Sequence, residues 1–282
     1  MPSQASPDPF FLPLDKGARF CLHHAPANPL APARASVVFV HGFAEEMNKS
    51  RRMVALQARA LAAAQCAVLQ IDLLGCGDST GLLSDVTWDD WLADVAAACA
   101  WLSQRYPDAQ RWLWGHRAGC LLASAAGALD EAGLHLLLWQ PMVAGKSLVQ
   151  QFLRLKAAAG LGDGVAAKTA IAALRAALAA GQTVEVAGYP LPAPLLHALE
   201  LAVLSRPALT RQVRCLEVSP RSGAGLTPAT AAVMQAWLAE GLDVQSQVVQ
   251  GPAFWQATEI ETAPALLPAT LAAMGLAVET VA

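Results

Sequence analysis

The pentapeptide Gly115-His116-Arg117-Ala118-Gly119 carries the most chemical meaning in this chain. An apolar strand running into G-x-x-x-G and then into a helix is the setting of a nucleophile elbow, where the central side chain is presented on a strained turn. The flanking glycines matter because only the smallest residue lets strand and helix approach closely enough. A serine at the centre, with an imidazole base and an orienting acid, would attack a carbonyl carbon. Here the centre is Arg117, whose guanidinium stays protonated and only donates hydrogen bonds, so it cannot be the nucleophile. At a helix N-terminus a cation is disfavoured by about 0.3–1 kcal/mol, so an anion should lie nearby. Glu45 and Glu46, expected in a loop facing the elbow, are the internal partners for charge-assisted bonds. Arg117 is thus read first as half of a buried salt bridge, and second as a receptor for a ligand carboxylate or phosphate.

The other reactive residue types have plainer readings. His116 is expected to face the core as a hydrogen-bonded structural histidine, and His41 to shape a turn. Asp72 and Asp78 flank a glycine turn, and no histidine or glutamate spacing completes a metal site around them, so no metal or cofactor is expected. Cys76 is the cysteine placed in a loop near the strand ends, the best substitute nucleophile, but nothing nearby would lower its pKa. Lys49, Arg51 and Arg52 read as solvated charges. Phe43 and Ala118 are expected at the pocket, and Phe254, Trp255 and Trp139 read as pocket or core hydrophobes that together with the cap could line an apolar cleft.

The elements that must position these residues alternate between apolar runs of strand length and longer helical patterns, the signature of an α/β protein with a mainly parallel sheet. Strands are expected at 19–25, 35–40, 66–74, 111–114, 134–139, 213–218 and 244–249. Helices are expected at 53–64, 87–105, 119–129, 228–240 and 264–274. Trp88, Trp91, Leu92, Val95, Cys99 and Leu102 repeat at helical spacing and mark a core-facing stripe. From Gly145 to Pro207 the rhythm changes to alanine-rich helical sequence with Gly160, Gly162 and Gly164 and a cluster of prolines. That segment is expected to be an inserted helical cap, 145–207, on a core formed by 1–144 and 208–282.

Composition narrows the function classes. The 282 residues are 55% hydrophobic and 15% charged, enough apolar sequence for one large core. A formal net charge of -3 gives no electrostatic footprint for nucleic acid. Mean hydropathy is +0.39, yet Asp94, Asp130 and Glu131 interrupt the apolar runs well short of the roughly 18 residues a membrane span needs. Met1-Pro2-Ser3-Gln4 does not read as the basic start of a signal peptide. The six cysteines lack C-x-x-C spacing and sit mostly in apolar runs, which suits reduced thiols in a cytoplasm.

Over nearly its whole length the chain resembles the α/β-hydrolase superfamily. His41-Gly42-Phe43 is similar to the turn that helps build the oxyanion hole, Asp72-x-x-Gly75-x-Gly77-x-Ser79 to the turn after the next strand, and 115–119 to a Gly-His-Ser-x-Gly elbow with the serine exchanged. The resemblance implies an acid after the strand 213–218, where the chain reads Ser219-Pro220-Arg221-Ser222-Gly223. It implies a histidine after the strand 244–249, where the chain reads Gly251-Pro252-Ala253-Phe254-Trp255, and no histidine follows His197. A narrower resemblance, carried by 43–53, the G-x-R-x-G elbow, Ala187-Gly188-Tyr189 and Phe254-Trp255-Gln256, is to the exosortase A system-associated hydrolase 2 family. It implies a bacterial protein linked to exopolysaccharide and PEP-CTERM sorting systems.

Two functions are therefore expected. In the first, the serine triad is degenerate and a small acyl, glycosyl or peptide-like molecule binds beneath the cap without turnover. In the second, Glu45 or Glu46 activates a water and Arg117 stabilises an oxyanion, giving a working hydrolase of ester, acyl or amide bonds.

Overall fold

The computed structural model describes residues 6–159 and 164–276, so Gly160 and Gly162 lie outside the described residues. The first strands, β1 (Asp8–Leu14) and β2 (Gly17–His24), form an antiparallel hairpin. Then follow β3 (Ala35–Val40), α1 (Glu45–Ala63), β4 (Cys66–Ile71), α2 (Trp88–Arg105), β5 (Gln110–His116), α3 (Gly119–Ala128) and β6 (His135–Trp139). Between β6 and the next strand of the large sheet stand α4 (Gly145–Ala159), α5 (Gly164–Ala179), the short strands β7 (Val184–Val186) and β8 (Tyr189–Leu191), and α6 (Ala193–Leu201). The chain closes with β9 (Gln212–Ser219), α7 (Pro228–Ala239), β10 (Asp243–Gln250) and α8 (Leu266–Ala273).

The eight-stranded sheet has the order β1-β2-β4-β3-β5-β6-β9-β10. β2 pairs antiparallel with β4, and every pairing from β4 to β10 is parallel. Burial on both faces follows from the period of two. On β3, Val38 and Val40 enter one core while Val37 and Phe39 enter the other; on β6, Leu136 and Leu138 part in the same way from Leu137 and Trp139. Trp91 and Val95 of α2, Leu121 of α3 and Trp237 of α7 fill the first core; Met53 and Leu61 of α1 and Leu266 of α8 fill the second. Thr87 caps α2 through a reciprocal capping box with Asp90. A fully buried ion pair, Arg19 to Asp94 at 2.7 Å, ties β2 to α2, and the second Asp94 oxygen accepts from the Leu74 amide at 2.7 Å.

The mainly parallel α/β sheet flanked by helices is as expected, with three local differences. β1 was not anticipated. The first helix begins at Glu45 rather than Met53, which puts both glutamates in its opening turn, where negative charge suits the helix dipole. The segment expected to be mostly helical also contains the β7–β8 hairpin. Among the described residues, no helix is long and apolar enough to cross a membrane.

Candidate functional site

β5 runs straight into the elbow, and Arg117 adopts a left-handed backbone, φ 55°. Its amide donates to the Trp139 carbonyl at 3.0 Å and its own carbonyl accepts from the Cys120 amide at 3.1 Å, so the turn is pinned to β6 and α3. Both flanking glycines are enforced by close backbone approach. A Cβ on Gly119 would lie 2.2 Å from the Val40 carbonyl oxygen, and one on Gly115 would lie 2.6 Å from the Cys120 Cα.

The guanidinium of Arg117 is spoken for. Its Nε and one terminal nitrogen both reach Glu46 Oε1 at 3.0 Å, and both side chains are about nine-tenths buried. The second Glu46 oxygen, Oε2, has no hydrogen-bond partner among the described residues. Burial pushes the Glu46 carboxyl above its ordinary range, against the opposing pull of Arg117 and Lys49. Glu45, the other expected partner, points elsewhere: its Oε2 accepts from the Tyr189 hydroxyl at 2.9 Å, and the Tyr189 oxygen accepts from Asn48 Nδ2 at 3.0 Å. The helical phase separates the two glutamates, since adjacent residues on a helix do not face the same way.

The histidines beside the elbow are committed or sealed. His41 Nδ1 meets the Gly42 carbonyl at 2.7 Å and its Nε2 accepts from the Leu73 amide at 3.3 Å. His116 is fully buried and stacks on Phe254, centroids 5.5 Å apart. Contrary to the expectation of a hydrogen-bonded histidine, neither of its ring nitrogens has a partner among the described residues. Burial lowers the pKa of His116 well below the ordinary value, assisted by the positive charge of Arg117.

Phe254 and Trp255, read from sequence as pocket or core residues, are packed in the second core, with the Arg117 guanidinium carbon 5.5 Å from the centre of the Trp255 ring. Trp139 joins them there and donates from Nε1 to Thr270 Oγ1 at 3.0 Å. Arg51, expected as a surface or helix-start charge, is an exposed residue of α1 and reaches Asp72 Oδ2 at 3.0 Å; Asp72 also accepts from the Asp78 amide at 3.1 Å. Among the described residues, no group of three or more His, Cys, Asp and Glu side chains could hold a metal ion.

Space is distributed unevenly. Directly over the turn, between His41, Gly42, Ala118 and Gly119, only about 10 Å³ is open. Beside it lies a cleft of about 450 Å³, bounded by Phe43, Met47 and Trp91 on the core side, by Cys76 of the glycine turn, and by Tyr189 and Pro190 of the β7–β8 hairpin. Phe43 is therefore the expected pocket residue that does border open volume; neither Arg117 nor Glu46 does. Cys76 is no activated nucleophile, because burial and the negative charges of Asp72 and Asp94 push its thiol up to about 12.

Two functional-looking side chains escaped the sequence reading. Tyr189 was noted only as part of a motif, although it joins the hairpin to α1. Glu217, the carboxylate nearest the expected acid loop, sits on β9 and accepts from the Thr227 amide at 2.7 Å and hydroxyl at 2.9 Å, so it holds the start of α7.

Comparison with known proteins agrees with this architecture. The sequence profile of the family described as Serine aminopeptidase, S33, matches residues 31–185, more than half of the chain. No curated protein matches it. Among solved structures, Est1E from Butyrivibrio proteoclasticus with bound ferulic acid superposes with a TM-score of 0.63 at 16% identity, covering 95% of this chain and 96% of that one. A thermostable carboxyl esterase from Bacillus coagulans gives 0.58 at 15% identity, covering 88% and 91%. Proline iminopeptidase from Mycobacterium smegmatis gives 0.55 at 17% identity, covering 95% and 97%. At these identities the likeness is one of fold.

Proposed function

The chain belongs to the Serine aminopeptidase, S33, family within the α/β-hydrolase superfamily, and we propose that it acts there as a small-molecule binder without serine-triad turnover. The observation that carries this reading is the elbow itself, where a buried Arg117–Glu46 pair stands in the nucleophile's place. Two further features support it. The loops after β9 and β10 contain neither a carboxylate at 219–223 nor an imidazole at 251–255. The open volume lies beside the elbow, under the segment 145–207, which we read as a cap over the core 1–144 and 208–282.

The runner-up reading, a hydrolase using Glu46 as base and Arg117 as oxyanion clamp, draws on the unpartnered Oε2 and the raised carboxyl pKa. It has to break the 3.0 Å contact that engages both groups, neither of which lines the cleft. The experiment is direct. p-Nitrophenyl esters should not be hydrolysed above background, and a fluorophosphonate probe should label no serine. Stoichiometric serine labelling, or ester turnover abolished by Glu46→Gln, would sink the binding reading.

The resemblance to the exosortase A system-associated hydrolase 2 family extends the proposal to a role in the cytoplasm beside exopolysaccharide and PEP-CTERM sorting systems. Disrupting the gene and measuring exopolysaccharide output tests it: unchanged output counts against that role.

A further inference from the structure

We infer that the cleft beside the elbow takes a neutral, mostly apolar ligand bearing one hydrogen-bonding end group, and that Asn48 and Tyr189 read that group. The inference rests on the binding reading above and gives it a ligand class.

Charge decides the class. Among the described residues, no side chain bordering the cleft is charged. Several ionic groups around it are already engaged, Arg51 with Asp72, Arg117 with Glu46, and Glu45 with the Tyr189 hydroxyl, and Lys49, next to Asn48, does not line it. A ligand carboxylate or phosphate would be desolvated with no lining cation among the described residues to meet it, while Asp72 and Glu45 stand close by. An ammonium would have to compete with Arg51 and the Tyr189 hydroxyl for those carboxylates, neither of which lines the cleft. A neutral ligand meets none of these costs.

Shape and polarity decide the rest. About 450 Å³ falls within the range of roughly 300–1,000 Å³ usual for small-molecule sites. Phe43, Met47, Leu83, Trp91 and Pro190 give it apolar walls. Leu82 stands at the same cleft with 67% of its surface exposed, a large apolar side chain that folding alone leaves uncovered. The polar end is specific. Asn48 Nδ2 uses one hydrogen on Tyr189 and keeps a second, and its Oδ1 receives only a long 3.5 Å contact from Arg51. The Tyr189 oxygen donates once and accepts once, which leaves one lone pair. Together they offer a donor and acceptors to a hydroxyl, carbonyl or amide.

Three probes with one chain and different ends test this: 1-octanol, octanoate and octylammonium, titrated at pH 8, where the acid is ionised and the amine protonated. Saturation-transfer NMR reads binding, and circular dichroism checks that each variant is folded. Octanol should bind at least tenfold more tightly than either ion. Ser84→Trp, which places a large ring in the cleft, should abolish its binding, and Tyr189→Phe should weaken it by about tenfold, the usual effect of losing one hydrogen bond. Equal or tighter binding of octanoate or octylammonium, or octanol binding indifferent to Ser84→Trp, overturns the inference, as does failure of all three to bind. None of these results restores ester turnover, so the binding reading stands or falls separately, on the fluorophosphonate and ester assays.

Discussion

Arg117→Ser is expected to lower folding stability by about 3–5 kcal/mol and to create no esterase. The guanidinium supplies one hydrogen bond from Nε and an ion-pair contact from a terminal nitrogen to Glu46 Oε1, and the other carboxylate oxygen has no partner among the described residues. Serine leaves that carboxyl buried and alone, to be neutralised by taking up a proton or to pull water into the core. The backbone gives no compensation, since serine at φ 55° is a non-glycine residue in the same left-handed region as the arginine. Catalytically the new hydroxyl would lack a base. Both His41 nitrogens are engaged with backbone, and His116 stacks under Phe254. Urea denaturation and a p-nitrophenyl butyrate assay check the two halves. A double-mutant cycle with Glu46→Gln should also give coupling well above the roughly 1 kcal/mol of an exposed pair. A stable, active Arg117→Ser protein would show that the pair is dispensable and that another base reaches the elbow.

The parts of this structure that could be read in advance are those whose local pattern and tertiary role agree. The strand 35–40 is buried on both faces and therefore appears as an unbroken apolar run, with bounds that match β3. β1 has the opposite property. Pro9 and Pro13 argue against a strand, but β1 lies at the sheet edge and pairs on one side only, where a missing amide donor is tolerated. The opening turns of α1 were hidden because Glu45–Arg52 is dense in charge, and its buried face carries Glu46, Ser50 and Gln57 among the apolar positions. The β7–β8 hairpin turns on Ala187 and Gly188, with φ of 50° and 85°; asparagine before glycine would have announced such a turn, and alanine does not. The same causes limit the site. That Arg117 needs an acidic partner follows from charge and burial, but choosing Glu46 over Glu45 required the phase of a helix whose start was unread. The cleft beside the elbow depends on the hairpin that carries Tyr189, so it was not legible either.

Acidification from pH 6.5 towards 4 is expected to destabilise the fold through its buried histidines. His24, His41 and His116 are each at least nine-tenths buried, and burial lowers all three pKa values, that of His24 to about 4. In the unfolded chain each takes a proton near pH 6.5. Between the folded and unfolded pKa values the unfolded state therefore binds more protons, and stability falls as pH drops, by up to about 1.4 kcal/mol per pH unit for each such histidine. Above pH 6.5 both states are neutral and the contribution is fully present. Glu46 and Asp94 act in the opposite sense. Burial raises both carboxyls, so the folded state takes up their protons first and gains stability on acidification. Their gain opposes the histidine loss, so the net slope is the difference between the two contributions. Urea midpoints at constant m-value between pH 7.5 and 4.5 check this, and His24→Gln should reduce the slope. A flat profile from pH 6.5 to 5 that His24→Gln leaves unchanged would show that burial of His24 does not lower stability on acidification. His116 ties this behaviour to the elbow: the Arg117 cation helps keep it neutral, so Arg117→Ser should carry part of the histidine transition to higher pH in the folded state.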